Sequence, residues 1–371
     1  MKPSLETMQK LCKEYGNPQN ACKTVHVAGT NGKGSVCTKI AKALQIEGYK
    51  VGLYTSPHIT SFHERIQINE QPIHEEELQE LLSLTKDKTS QATFFEAATL
   101  LGFLYFQKNN VDVAVIEAGL GGRFDATNVI TPLISVITSI GYDHMEVLGS
   151  SLEEIAYEKA GIIKKDTPLI LGPDAYYPCM KVLTKKANSP LYQNKEHFAD
   201  FDKENQETAR LSLEVLRSKI PISDRSILLG VKAKPPCRFE SYNHKKTIIL
   251  DVAHNSHGFT KLITSLESTH PGYGYRFIVG FSKGKDIKTI GTLIQSKAVA
   301  VHLVSGSHPR LSSIEEIAIA FPFSQGATIK EKNIKTAITN ALNASLDKKE
   351  VIIVAGSFFL MEEAKKTLQE L

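Results

Sequence analysis

One segment, residues 25–35 (V-H-V-A-G-T-N-G-K-G-S), constrains what this chain can fold into more than any other. An apolar run suited to a buried strand ends in a glycine-rich turn, and a helical pattern over 36–47 follows at once. Gly29, Gly32 and Gly34 let backbone N–H groups close on a phosphate that a Cβ would hold away. Lys33 adds a point charge, Ser35 offers a hydroxyl for Mg²⁺, and the helix N-terminus contributes partial positive charge. The spacing departs from a regular Walker A: Val27 stands where G-x-x-x-x-G-K-[ST] has glycine, and Gly34 separates Lys33 from Ser35. The plainer alternative is a turn that only punctuates a strand end. Lys33 and Ser35 ahead of a helix favour a phosphate cradle.

A strand–loop–helix unit belongs in an alternating βα chain, and the rest of the sequence supplies one. Strands are expected at 24–27, 51–54, 111–116, 134–138 and 169–171, with helices at 36–47, 75–84, 95–107, 152–160 and 205–219. Such alternation implies a mostly parallel sheet with helices on both faces. The stretch 232–237 (K-A-K-P-P-C) interrupts it, because two prolines argue against continuous helix or strand. Alternation then restarts, with strands at 247–250, 276–279, 298–303 and 351–354 and helices at 256–268, 285–296, 314–320, 334–344 and 359–368. The expected architecture is α/β: a P-loop ATPase-type domain over 1–233 and a smaller, Rossmann-like α/β domain over 234–371. Two such domains commonly hold ligands in the cleft between them.

Composition narrows the class. The 371 residues suffice for two domains with their own cores, and no apolar run is long enough to span a bilayer. The start, M-K-P-S-L-E-T-M, lacks the apolar core of a secretory signal. Cys12, Cys22, Cys37, Cys179 and Cys237 are odd in number and scattered without C-x-x-C, which points to reduced thiols in a cytoplasm. The net charge of +4 is mild and the lysines are dispersed, so nucleic-acid binding gains no support. An anionic small-molecule substrate is compatible with it.

Further chemistry-bearing residues recur at strand ends. Glu117 closes V-D-V-A-V-I-E ahead of A-G-L-G-G, where open α/β sheets bind ligands and where an acid can reach a nucleotide's metal. Asp143 and His144 follow another strand, although Mg²⁺ prefers oxygen. Ser56 ends the second strand; a turn serine before Pro57 is its plainer reading. Lys159 sits in the helical E-E-I-A-Y-E-K-A-G, where an exposed lysine paired with a neighbouring acid is the default. In the second domain 237–240 (C-R-F-E) is expected to open a strand, and Asp251, His254 and Asn255 follow another. There, a capped turn and a nucleotide contact both remain open.

Taken together these segments resemble the folylpolyglutamate synthase/dihydrofolate synthase family, within the wider group of Mur-type amide ligases. The resemblance rests on H-V-A-G-T-N-G-K-G-S, T-S-P-H-I-T-S-F-H-E-R-I-Q-I-N, F-F-E-A-A-T, E-A-G-L-G-G-R-F-D-A-T-N, D-H-M-E-V-L-G, E-K-A-G-I-I-K, R-F-E and L-D-V-A-H-N, in that order. It implies an ATP phosphate loop at Asn31, Gly32, Lys33, Gly34 and Ser35, and magnesium ligands at Ser56, Glu117 and His144. It implies that Lys159 is carried as a carbamate serving a second metal, so that two Mg²⁺ ions accompany ATP. Asn205, Arg238 and Asp251 match ATP contacts, and His254 stands near the nucleotide.

For the pterin side, Thr93, Phe94, Phe95 and Glu96 with Phe124, Asp125 and Ala126 match a dihydropteroate pocket. Pro3, Ser4 and Leu5 fall where an N-terminal loop closes it. The chain departs from the family pattern at Pro3, at Phe124 in place of leucine and at Cys237 in place of glycine. The implied reaction joins L-glutamate to the carboxylate of dihydropteroate or of folates through an acyl phosphate, in a monomeric cytoplasmic enzyme with no nucleic-acid or membrane partner. A monofunctional folylpolyglutamate synthase is the nearest alternative. A cell-wall Mur-type ligase is another, although only residues 1–24 precede the phosphate loop. A P-loop regulator driven by ATP hydrolysis would leave 94–96, 124–126 and the second domain unexplained.

Overall fold

The computed structural model of the protein describes residues 4–306, 308–321, 327–345 and 349–371. The expectation placed on Pro3 lies outside these residues. The chain divides into two compact units: residues up to Phe198 with Asp202–Pro235, and Ala199–Phe201 with Pro236–Leu371.

The first unit is built on an eight-stranded sheet in the order β4-β3-β2-β5-β1-β6-β7-β8. Its strands are β1 (Lys23–Ala28), β2 (Val51–Tyr54), β3 (Ile66–Ile68), β4 (Gln71–Pro72), β5 (Val113–Glu117), β6 (Ile134–Ile137), β7 (Leu169–Leu171) and β8 (Leu191–Gln193). The pairs β2–β3 and β3–β4 are antiparallel, and the other pairs are parallel. The central strands are buried along their length because helices cover both faces. On one face Val25 and Val27 meet Val36, Ile40 and Leu44 of the helix Lys33–Glu47. On the other, Ala114 and Ile116 meet Leu100, Leu101 and Phe103 of the helix Phe94–Lys108.

This strand order positions the site. β1 lies between β5 and β6, so the chain leaves β1 towards one edge and later returns to fill the other side. The C-terminal ends of the three strands therefore adjoin at a topological switch point, where α/β sheets leave a crevice.

The second unit has a six-stranded sheet in the order β13-β12-β11-β14-β10-β9. Its strands are β9 (Glu240–Asn243), β10 (Thr247–Leu250), β11 (Gly274–Val279), β12 (Ala298–Leu303), β13 (Ala327–Lys330) and β14 (Glu350–Ala355). All pairs are parallel except β9–β10. Phe259, Phe277, Phe281 and Ile353 belong to its core.

Most expected elements appear within a few residues of their expected bounds, with instructive exceptions. The strand expected from Cys237 begins at Glu240, because Cys237 (φ 55°) and Phe239 (φ 49°) take left-handed backbone that an extended strand excludes. Cys237 occupies the position where the family resemblance expects glycine, the residue that adopts such a φ without strain. The helix expected over 205–219 runs Phe201–Leu216. Helices Glu6–Glu14, Pro178–Lys186 and Asp224–Gly230 and strands β3, β4 and β8 were not anticipated. Among the described residues no helix is long and apolar enough to cross a membrane.

Candidate active site

The loop after β1 is held from the neighbouring strand. Thr138, just past β6, donates through Oγ1 to the carbonyl of Asn31 at 2.6 Å, and Ser139 Oγ accepts from the Asn31 N–H at 3.0 Å. Thr30 Oγ1 donates to the Gly141 carbonyl at 3.1 Å. Gly32, at φ 84°, is the N-cap of the helix Lys33–Glu47, so no N-cap side chain fills the end of that helix. A helix N-terminus left open in this way is what an anion site requires. Lys33 Nζ donates to the carbonyls of Gly29 and Thr30, both at 3.2 Å.

Glu117 ends β5 beside this loop: a Cβ added at Gly34 would stand 3.4 Å from Glu117 Oε2. The same oxygen accepts the backbone N–H of Ser56 at 3.0 Å, which brings the end of β2 to the same place. A buried carboxylate beside a serine hydroxyl is oxygen chemistry that suits a hard divalent cation. His144 is 44% exposed and has left-handed backbone (φ 51°); its ring nitrogens lie 3.8 Å from Asp143 and 3.7 Å from Glu146. Among the described residues no three His, Cys, Asp or Glu side chains gather as a ready metal site.

Lys159 overturns its default reading. It is only 4% exposed, and its Nζ donates to the Gly29 carbonyl at 3.0 Å. Burial, reinforced by the Lys33 charge, pulls its pKa down to about 7. Two close approaches put it there. A Cβ at Gly122 would stand 2.7 Å from the Lys159 carbonyl, and one at Gly161 would stand 2.2 Å from Arg123 Cα. The Arg123 N–H donates to the Glu158 carbonyl at 2.8 Å, locking the glycine-rich turn onto the helix end.

That turn also walls a cleft of about 440 Å³ within the first unit. Of the expected substrate residues, Ser4, Thr93, Phe95, Glu96, Phe124, Asp125 and Ala126 line it. Leu5 and Phe94 are not among the lining residues; Phe94 is exposed and packs under the Arg65 guanidinium, 5.4 Å from its ring centroid. Sequence reasoning missed Thr7, Gln91, Leu120, Val147 and Glu158 on the same walls.

Three of the expected substrate residues also have structural work. Thr93 and Glu96 form a capping box on the helix Phe94–Lys108, with the Thr93 N–H donating to Glu96 Oε2 at 2.8 Å. Asp125 is buried and accepts from the Leu120 N–H at 2.7 Å and from Thr127 N–H and Oγ1 at 3.0 and 2.5 Å. Burial pushes its pKa up while those donors pull the other way.

Asn205 is buried on the helix Phe201–Leu216. In the second unit Arg238 and His254 gather on Phe358, the guanidinium 5.0 Å from its ring centroid and the imidazole centroid 5.5 Å away. Asp251 accepts from the N–H groups of Phe239 and Ala253, each at 2.8 Å, and its raised pKa reflects burial opposed by the Arg238 charge. The three residues share one strand-end surface, held by Gly356 N–H donating to the Ala253 carbonyl.

Known proteins share the sequence pattern and the fold of this chain. The sequence matches the Mur ligase middle domain over residues 27–243 and the Mur ligase, glutamate ligase domain over 237–358. It is 32% identical to the dihydrofolate synthase/folylpolyglutamate synthase of Bacillus subtilis, over 100% of this chain and 96% of that protein. E. coli FolC in complex with DHPP and ADP superposes with a TM-score of 0.90 at 25% identity, covering 100% of this chain and 94% of that one. A bifunctional folylpolyglutamate synthase/dihydrofolate synthase from Yersinia pestis, complexed with AMPPNP and Mn ion, gives 0.89 at 27% identity, covering 100% and 94%.

Proposed function

This chain belongs to the dihydrofolate synthase/folylpolyglutamate synthase family of Mur-type ligases, and we propose that it uses ATP to join L-glutamate to the carboxylate of both dihydropteroate and folates. One observation carries the reading: the single segment 117–126 supplies the carboxylate beside the phosphate loop and a wall of the 440 Å³ cleft. A phosphoryl donor and an acid substrate are thereby brought to one strand end.

The chemistry follows from what each group can do. A carboxylate does not acylate an amine in water because its oxygen is a poor leaving group. Its oxygen attacks the ATP γ-phosphorus, the bond to the β–γ bridging oxygen breaks, and ADP leaves an acyl phosphate. Lys33 and the uncapped helix N-terminus oppose the charge that spreads over the phosphoryl oxygens. The glutamate amine, having lost a proton, adds to the acyl carbon, and phosphate departs from the tetrahedral intermediate. When bound, a divalent cation held by Ser56 and Glu117, with His144 as a further ligand, neutralises phosphate charge.

Lys159 fits the carbamate expected from the resemblance. Its buried amine is poised for the neutral form, whose nitrogen adds to CO₂ with loss of a proton and leaves a carboxylate for a second metal ion. In the second unit Arg238, Asp251 and His254 are the candidates for nucleotide and glutamate contacts, and Asn205 is the first unit's further ATP contact. The enzyme works on small molecules, as a cytoplasmic monomer.

Mass analysis of the products tests the reading. Incubation with ATP and L-glutamate should add one glutamyl residue to dihydropteroate and further residues to a reduced folate. Extension of the folate alone would reduce the enzyme to a folylpolyglutamate synthase, and extension of neither would overturn the assignment.

A further inference from the structure

A buried hydrogen-bond chain joins the strand that carries the phosphate loop to the wall of the substrate cleft. His26 lies on β1, three residues before Gly29, and strand alternation turns it away from the face packed by Val25 and Val27. It is fully buried, and its Nε2 lies 2.8 Å from Thr127 Oγ1. That hydroxyl lies 2.5 Å from Asp125 Oδ1, whose partner oxygen accepts the Leu120 N–H at 2.7 Å.

The proton directions are set by valence. A carboxylate only accepts, so the single hydroxyl proton of Thr127 goes to Asp125. The Thr127 oxygen then accepts, so His26 carries its proton on Nε2. Among the described residues His26 Nδ1 has no hydrogen-bond partner, which agrees with a neutral ring holding one proton at Nε2. Burial pulls its pKa down to about 3, so the ring stays neutral at working pH.

We propose that His26 and Thr127 are positioning residues for the acid-substrate cleft: the imidazole N–H, through the Thr127 hydroxyl, fixes the Asp125 carboxylate and with it the loop 119–126. Nothing in the reaction uses His26 directly, and an apolar side chain would fill its place in the sheet at lower desolvation cost. Leu120, Asp125 and Ala126, the residues this chain orders, all line the cleft. The proposal concerns the substrate side alone, and its link to the pterin rests on the function proposed above.

The test compares Thr127→Val, which keeps the shape and removes the hydroxyl, with Thr127→Ser, which keeps the hydroxyl. A lost hydrogen bond to a charged group, about 1.5–3 kcal/mol, corresponds to roughly a 10- to 100-fold change. Thr127→Val should raise the KM for dihydropteroate by about that factor and leave the KM for ATP within about twofold, whereas Thr127→Ser should restore the wild-type value. His26→Leu should repeat the effect and His26→Gln, which retains a donor, should soften it; if His26→Leu does not fold, Thr127→Val carries the same test. Amide hydrogen exchange supplies a readout independent of substrate, with Leu120 exchanging at least about tenfold faster in Thr127→Val and residues 33–36 unchanged. A wild type inactive on pterins would defeat the function while exchange still judged the relay. Unchanged Leu120 exchange, or equal rises in both KM values, would overturn the relay itself.

Discussion

Lys33 and Lys159 donate to the same oxygen, the carbonyl of Gly29, from 3.2 and 3.0 Å. One side chain reaches it from the first turn of the helix after β1, the other from the end of a helix that starts at Leu152. Two amine nitrogens thus converge on one carbonyl of the loop after β1. Their mutual repulsion also helps keep Lys159 near neutrality.

Lys159→Ala should therefore be nearly inactive, and its loss should be partly reversed by added acetate. Rescue is expected because a carbamate supplies an anionic oxygen ligand that a small carboxylate can replace. Kinetic assays with and without acetate check this. A fully active alanine variant would return Lys159 to a packing role.

Lys33→Ala should lower kcat by at least about 10²-fold with the unfolding midpoint little changed, since its charge acts on transferring oxygens. Steady-state rates and thermal unfolding on the same preparation separate the two effects. Retention of more than about a tenth of the wild-type rate would remove the loop from catalysis.

Glu117→Gln and His144→Ala should each raise the Mg²⁺ concentration for half-maximal rate, by roughly tenfold for a lost ligand. Glu117 stands beside the loop already, whereas His144 faces Asp143 and Glu146, so its titration is the more informative. Unchanged Mg²⁺ curves for both would make them turn-capping groups.

His26 sets an acid limit on stability. Its pKa of about 3 when folded lies below the ordinary 6.5, so between those values the unfolded chain binds a proton that the folded one does not. Its contribution is complete above about pH 6.5 and is lost as pH falls towards about 3. Relative to His26→Leu, wild-type unfolding free energy should fall by about 1.4 kcal/mol per pH unit across that window. Denaturant unfolding of both proteins at pH 7, 5.5 and 4.5 measures it, and parallel curves would contradict the burial of a neutral ring.

Much of the first sheet was readable because its strands are short apolar runs, and 51–54 and 169–171 emerge with the expected bounds. The strand–loop–helix unit over 23–47 was readable for the same reason: strand, glycines, lysine and helix are contiguous. Lys159 was not, because its burial comes from the close approach of Gly122 and Gly161, residues that are distant in sequence from each other. The Thr93–Glu96 capping box was open to reading from T-x-x-E ahead of an apolar run, and it explains why both residues stand at the cleft rim. Pro178 at the first position of its helix and Ser223 before Asp224 were likewise available start signals. β3 (I-Q-I), β4 (Q-P) and β8 (L-Y-Q) are two or three residues long and mix polar with apolar side chains, so neither a period nor an apolar run registers.

ADP release by the purified wild-type protein, with dihydropteroate, dihydrofolate or tetrahydrofolate and with or without L-glutamate, decides whether the chain is a glutamate ligase. Sustained release should require both a pterin acid and glutamate, and should occur with dihydropteroate as well as with a reduced folate. Release at the same rate without either substrate would make the chain an ATPase of another kind and contradict the ligase assignment.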